Sequence, residues 1–150
     1  MKVTKEFTFD AAHMLSGYNG DCCNLHGHTY KLQVAFTQAD PADHLIEPYA
    51  SMVIDFALIS REVKSLLKDY DHATLLYENG DEFERELINL LKRYNLKLKV
   101  FSKPITAEHL ATVLHKEISA NHILNHVGVK ATSLRLWETP TSYAEYESGD

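Results

Sequence analysis

The chain has 150 residues, 45% of them hydrophobic and 24% charged, with a net charge of −6. That length makes one compact domain, spanning 1–150, with enough core to fold without a disulfide or metal staple. The acidic balance argues against nucleic acid as the partner, because phosphate contacts demand a basic footprint.

Residues 3–13 alternate: Val3, Phe7, Phe9, Ala11 and His13 share one parity, with Thr4, Glu6, Thr8 and Asp10 on the other. This predicts a half-buried strand. A polar loop over 16–24 follows. A second strand begins at His28 and carries Tyr30, Leu32, Val34 and Phe36 on its apolar face. The spacing predicts a helix over 56–70, capped by Asp55, with Ile59, Val63, Leu66, Leu67 and Tyr70 inward. A second helix is expected over 82–94, with Phe83, Leu87, Leu90, Leu91 and Tyr94 as its apolar stripe. Residues 97–101 read as a short strand. A third helix starts at a Thr106 cap and runs to about His122, with Glu108 in the first turn, where the helix dipole favours a carboxylate. Residues 130–139 alternate again, placing Leu134, Leu136 and Glu138 on one face, and 142–147 form a last strand. Strands at both ends with helices between predict an α+β domain built on an antiparallel sheet.

This strand pattern singles out three of the nine histidines. His13 ends the apolar face of the first strand and His28 begins that of the second. If the strands pair as an antiparallel hairpin, these ends meet. His26 points the same way as His28 in an extended chain. Three neutral imidazoles around an open position suit a catalytic zinc, whereas a structural site closes with four ligands and favours thiolates. Gly27, without a side chain, leaves room for close approach of the metal between its neighbours. The alternative is ordinary: a histidine at a strand end is usually a satisfied polar residue.

The adjacent Cys22 and Cys23 are the only cysteines, too few and too close for an ordinary disulfide, which suits a reducing compartment. No segment reaches the ~18 apolar residues of a membrane span, and residues 1–10 lack a signal-peptide run. A soluble, cytoplasmic protein is expected. Near a divalent cation, Cys22 can act as base or nucleophile; it can equally be a fourth zinc ligand or a small loop residue, and Cys23 is open to the same readings. Asp71-His72 suits an acid–base relay, or is a helix end with a solvated carboxylate. Glu138, on an apolar strand face, implies either a pocket or a strand-end ion pair.

Six stretches, taken together and in order, resemble the 6-pyruvoyl-tetrahydropterin synthase and 6-carboxytetrahydropterin synthase family. They are Phe7-Thr8-Phe9-Asp10-Ala11-Ala12-His13, the run from Cys22 to Tyr30 containing His26-Gly27-His28, Val53-Ile54-Asp55-Phe56, Asp71-His72, Thr106-Ala107-Glu108 and Trp137-Glu138-Thr139. The resemblance implies a tunnelling fold: an antiparallel sheet with helices on one face, whose sheets join between subunits into a barrel. It implies zinc on His13, His26 and His28, Cys22 as the catalytic thiol, and an Asp71–His72 relay reaching the site from a neighbouring subunit of a hexamer or tetramer. It implies that Glu138 grips the pterin ring and that Thr106 and Glu108 line the pocket. Three residues separate Cys22 from His26, a short spacing similar to the 6-carboxytetrahydropterin synthases of queuosine biosynthesis. These convert dihydroneopterin triphosphate to carboxytetrahydropterin, acetaldehyde and triphosphate. The pyruvoyl synthases, which only eliminate triphosphate, are the alternative, and a pterin-binding protein without turnover is another. The chain departs from the family pattern at Met14, where Arg is common, at Ser51 and Ile105, and in a longer segment over 78–102.

Overall fold

The computed structural model describes residues 1–39 and 52–149; Ser51 lies outside them. Strand β1 (Val3–His13) and strand β2 (His26–Gln38) form an antiparallel hairpin, with the loop between them crossed by one 3-10 turn, Asp21–Cys23. Helix α1 (Phe56–Leu67), strand β3 (Ala73–Tyr77), helix α2 (Glu82–Arg93) and strand β4 (Leu98–Phe101) follow. Helices α3 (Ala107–Ser119) and α4 (His122–His126) precede strands β5 (Val129–Thr139) and β6 (Ser142–Glu147). The strand order is β4-β3-β1-β2-β5-β6.

The α+β class holds, but the sheet is mixed. The ladders β1–β2, β2–β5 and β5–β6 are antiparallel, whereas β3 runs parallel to both β1 and β4. Strand β3 has no counterpart in the sequence reading. Its five residues, Ala-Thr-Leu-Leu-Tyr, are too short and too uniformly apolar to show a period.

The main core lies on one face of the sheet. Phe7, Phe9 and Ala11 of β1 and Tyr30, Leu32, Val34 and Phe36 of β2 meet Ile59, Val63 and Leu67 of α1 and Leu110, Leu114 and Ile118 of α3. Each of these large apolar side chains contributes roughly 1.5–3 kcal/mol by leaving water. Asp55 caps α1, accepting from the Ala57 N–H at 2.8 Å, which is worth about 1 kcal/mol. The helix stops at Leu67, short of the expected Tyr70, although Tyr70 is fully buried beyond its end. The expected third helix divides: α3 ends at Ser119, and Asn121 caps a separate short α4.

Helix α2 departs from the one-faced arrangement. Leu75 belongs to the main core, whereas its neighbour Leu76 packs with Ile88 of α2 and with Met14. Because strand side chains alternate, α2 therefore covers the opposite face of the β3–β4 edge. Its expected apolar stripe is also misplaced. Phe83, Leu90 and Tyr94 are exposed, and the buried residues are Ile88 and Glu84. Leu87 and Leu91 do flank Ile88. The buried arc is shifted because a carboxylate occupies an inward position. No helix among the described residues is long and apolar enough to cross a membrane.

Candidate active site

The β1–β2 ladder builds the site. His13 is the Cα partner of His26, and Ala11 is the partner of His28. With β2 beginning at His26, two residues earlier than its alternation suggests, all three histidines lie on paired strand ends rather than in the loop. Their side chains share the helix-covered face. The ring of His13 lies 4.6 Å from that of His26 and 5.1 Å from that of His28, and His26 and His28 are 4.8 Å apart, centroid to centroid.

Hydrogen bonds fix which nitrogen faces inward. His13 Nδ1 lies 2.8 Å from the Ile105 carbonyl and His26 Nδ1 lies 2.7 Å from the Asn24 carbonyl. A carbonyl only accepts, so each Nδ1 carries the proton and each Nε2 keeps its lone pair free. The Nε2 atoms of His13 and His28 are buried and have no hydrogen-bond partner. Orphaned buried ring nitrogens are costly, and a divalent cation satisfies those that present a lone pair. One ligand atom from each histidine falls within 4.8 Å of the others, and this cluster contains neither cysteine nor carboxylate. Burial holds the pKa of His13 and of His28 below the usual imidazole value, which favours the neutral, ligating form. These residues fit a three-histidine metal site, and the donor set suits zinc.

Gly27 has a different role from the one its sequence position suggests. A Cβ there would press on the Ala11 carbonyl at 3.2 Å, across the ladder. Gly27 partners Ala12 on the face away from the imidazoles, so its hydrogen allows close approach of β1 rather than metal access.

Other predicted site residues gather around the triad. Glu138, near the end of β5, brings Oε1 to 3.6 Å from His28 Nε2 and is only partly exposed. Thr106 caps α3 through the His109 N–H at 3.2 Å, and Glu108 stands exposed in the first turn. The Ile105 carbonyl, which holds His13, ties this helix start to the triad. Cys22 is a half-buried free thiol in the 3-10 turn. Its carbonyl accepts from the Leu15 N–H at 2.8 Å, closing the loop back onto the exit of β1. Cys23 is likewise free and half-buried.

Asp71 and His72 do not join the triad within one chain. Asp71 Oδ1 accepts from the Asp10 N–H at 2.9 Å, and Asp71 Oδ2 lies 3.0 Å from His72 Nδ1. Asp10, Asp71 and His72 cluster on the open face of the sheet, where Thr29 donates to the Asp10 carboxylate. His72 has φ 61, a left-handed conformation costing roughly 1 kcal/mol in a non-glycine residue. That turn leads the chain into β3 and leaves the imidazole exposed beside Asp71. The Asp10 N–H, with His72 and Lys97 nearby, holds the Asp71 carboxyl below its usual range. A cleft of about 430 Å³ beside the dyad is lined by Asp10, Gly27, Thr29 and His72. The sequence does not single out Asp10; the signal it carries is parity, since Asp10 stands opposite Thr29 on the polar face.

Comparison with known proteins places the chain. It is 40% identical to a 6-carboxy-5,6,7,8-tetrahydropterin synthase of Haemophilus influenzae, over 97% of this chain and 98% of the relative. It is 32% identical to a synthase of the same name from Rickettsia felis, over 97% and 99% of the two chains. Among solved structures, an uncharacterized protein from Wolinella succinogenes superposes with a TM-score of 0.76 at 21% identity, covering 99% of this chain and 98% of that one. The Caenorhabditis elegans 6-pyruvoyl tetrahydropterin synthase superposes with a TM-score of 0.65 at 22% identity, covering 99% and 96%. These neighbours carry the tunnelling fold. With the family model for 6-pyruvoyl tetrahydropterin synthase matching residues 2–149, the chain belongs to that family.

Proposed function

We propose that this chain is a zinc-dependent 6-carboxy-5,6,7,8-tetrahydropterin synthase. It converts 7,8-dihydroneopterin triphosphate to 6-carboxytetrahydropterin, acetaldehyde and triphosphate, as a cytoplasmic step of queuosine synthesis. That the chain is an enzyme, a lyase, follows from the family and from the curated relatives that bear the synthase name. The observation that supports the zinc reading is the meeting of three imidazoles, two with orphaned Nε2 atoms, one of which, on His28, lies 3.6 Å from the Glu138 carboxylate. The 6-carboxy product is supported by the relatives of that name at 40% and 32% identity.

Zinc held by His13, His26 and His28 would supply Lewis acidity toward the side-chain oxygens of the substrate. Glu138 accepts from the amino and ring N–H groups of the pterin and fixes its orientation, which lowers the barrier by positioning. Thr106 and Glu108 line the same pocket. The Cys22 thiolate takes a proton from the substrate side chain, and His72, oriented by Asp71 at 3.0 Å, carries protons to or from the carbon skeleton. Because Asp71 and His72 occupy the face of the sheet away from the triad, a second copy of the chain supplies them. The working enzyme is therefore a homo-oligomer with sites at its interfaces.

Incubating pure protein with 7,8-dihydroneopterin triphosphate and assaying acetaldehyde tests this reading. Acetaldehyde in step with triphosphate supports it. Triphosphate with a pyruvoyl product and no acetaldehyde assigns the chain to the pyruvoyl synthases instead. Binding without any product makes it a non-catalytic pterin protein.

A further inference from the structure

Glu84 is a carboxylate with no exposed surface, on a helix outside the site. Its Oε1 accepts from the Tyr77 N–H at 2.7 Å and its Oε2 accepts from the Ser16 hydroxyl at 2.5 Å. Ser16 Oγ in turn accepts from the Asp81 N–H at 3.2 Å. Gly80 makes this meeting possible. A Cβ there would lie 2.1 Å from Glu84 Oε2 and 2.8 Å from Ser16 Oγ, so only a glycine leaves room for the carboxylate and the hydroxyl to touch.

What the network holds is the loop that bears Cys22. Ser16 and Met14 flank Leu15, whose N–H donates to the Cys22 carbonyl at 2.8 Å. Met14 is buried against Leu76 and Ile88, so α2 grips both neighbours of that closing bond, one through apolar packing and one through Glu84. A helix present only to cover Met14 would need no buried carboxylate, and burying one is costly unless it is hydrogen-bonded, as both Glu84 oxygens are here.

We infer that Glu84 is a positioning residue: through Ser16 it fixes the Leu15–Cys22 closure and so sets the place of the Cys22 thiol. This rests on Cys22 being the working thiol, as proposed above. It also gives the segment over 78–102 a function, since α2 becomes the back wall of the thiol loop.

The test uses the full-length protein, with Ser16→Ala and Glu84→Gln as variants and Ser16→Thr as the conservative control. Hydrogen exchange of the Leu15 amide and the iodoacetamide alkylation rate of Cys22, in a Cys23→Ser background, are measured beside kcat and KM. Ser16→Ala removes one oxygen from a half-buried loop residue and leaves the apolar core intact, so it decides the matter even if Glu84→Gln does not fold. Exchange at Leu15 is expected to quicken by about tenfold, the scale of a lost charge-assisted hydrogen bond. The Cys22 alkylation rate shifts with it, kcat falls by a similar factor with KM nearly unchanged, and Ser16→Thr restores all of these. Wild-type exchange and alkylation in folded Ser16→Ala overturn the inference, and so does an unchanged kcat in a loosened loop. The exchange and alkylation measurements need no substrate. A wild-type protein that turned over no pterin would therefore defeat the functional reading while leaving the loop clamp separately decided.

Discussion

His13 and His26 are Cα partners on the last rung of the β1–β2 ladder, and their rings lie 4.6 Å apart. The site is thus a property of strand register rather than of loop conformation. Moving either strand by one residue would send its histidines to the opposite face. That face is pinned by the core beneath it, where Phe9 stacks on Tyr30 with centroids 5.1 Å apart. The imidazoles are therefore held in place before any ligand arrives, which is what a metal site needs from its scaffold.

Metal content follows from this arrangement. The purified protein should carry one zinc per chain by elemental analysis. Dipicolinate should remove it and abolish turnover while the far-ultraviolet circular dichroism stays native, because the main core is apolar and does not depend on the triad. A structural ion would take the fold with it. His13→Ala should weaken zinc binding by about 100-fold or more, at or beyond the cost of losing an outer-shell partner.

The separation of Asp71–His72 from the triad yields a mixing experiment. Cys22→Ala and His72→Ala should each be nearly inactive alone. Dissociated and reassembled together, they should regain activity, because some interfaces then combine an intact triad and thiol from one chain with an intact dyad from another. Failure to regain activity, with mixed oligomers shown to form, would place the relay within a single chain.

Much of this was legible in the sequence because it rests on period-two alternation. Phe7, Phe9, Ala11 and His13 point to one face in the structure as their parity requires, and the triad follows from joining two such strands. Asp55 and Thr106 were readable as caps because their side chains do local work. Illegible parts are those decided by long-range contact. Strand β3 pairs in parallel with strands distant in sequence, and nothing within Ala73–Tyr77 announces it. Helix α2 misled because a buried carboxylate sits where periodicity expects an apolar residue, and the partner that makes this tolerable, Ser16, lies 68 positions away. Met14 belongs to the same lesson: it packs under α2 against Leu76 and Ile88, a contact that only the folded chain reveals.

Glu138 offers a test of substrate grip. A carboxylate accepting from pterin N–H groups makes charge-assisted hydrogen bonds worth about 1.5–3 kcal/mol, so Glu138→Gln should weaken pterin binding by roughly tenfold or more. Titration calorimetry with a non-reactive pterin reads this directly. Zinc content should remain near that of the wild type, since Glu138 is not among the clustered ligand atoms. Loss of zinc in parallel with pterin affinity would make Glu138 a ligand instead.

Acid should destabilise the metal-free protein, with His115 among the causes. It is buried on α3, and its Nε2–H donates to the Ala131 carbonyl at 3.0 Å. Burial holds its pKa below the ordinary 6.5, with the carbonyl opposing the shift in part. The unfolded chain therefore binds a proton at this position at a higher pH than the folded chain does. Where the unfolded state binds more protons, stability rises with pH. The contribution of neutral His115 is complete above about pH 6.5 and is lost as pH falls below it toward the folded value. Gln at this position keeps an N–H to donate but cannot take up the proton. Measured by calorimetry with chelator present, Tm should fall between pH 7.5 and 5.5 by less in His115→Gln than in the wild type. Equal slopes for the two proteins would show that His115 titrates alike in both states.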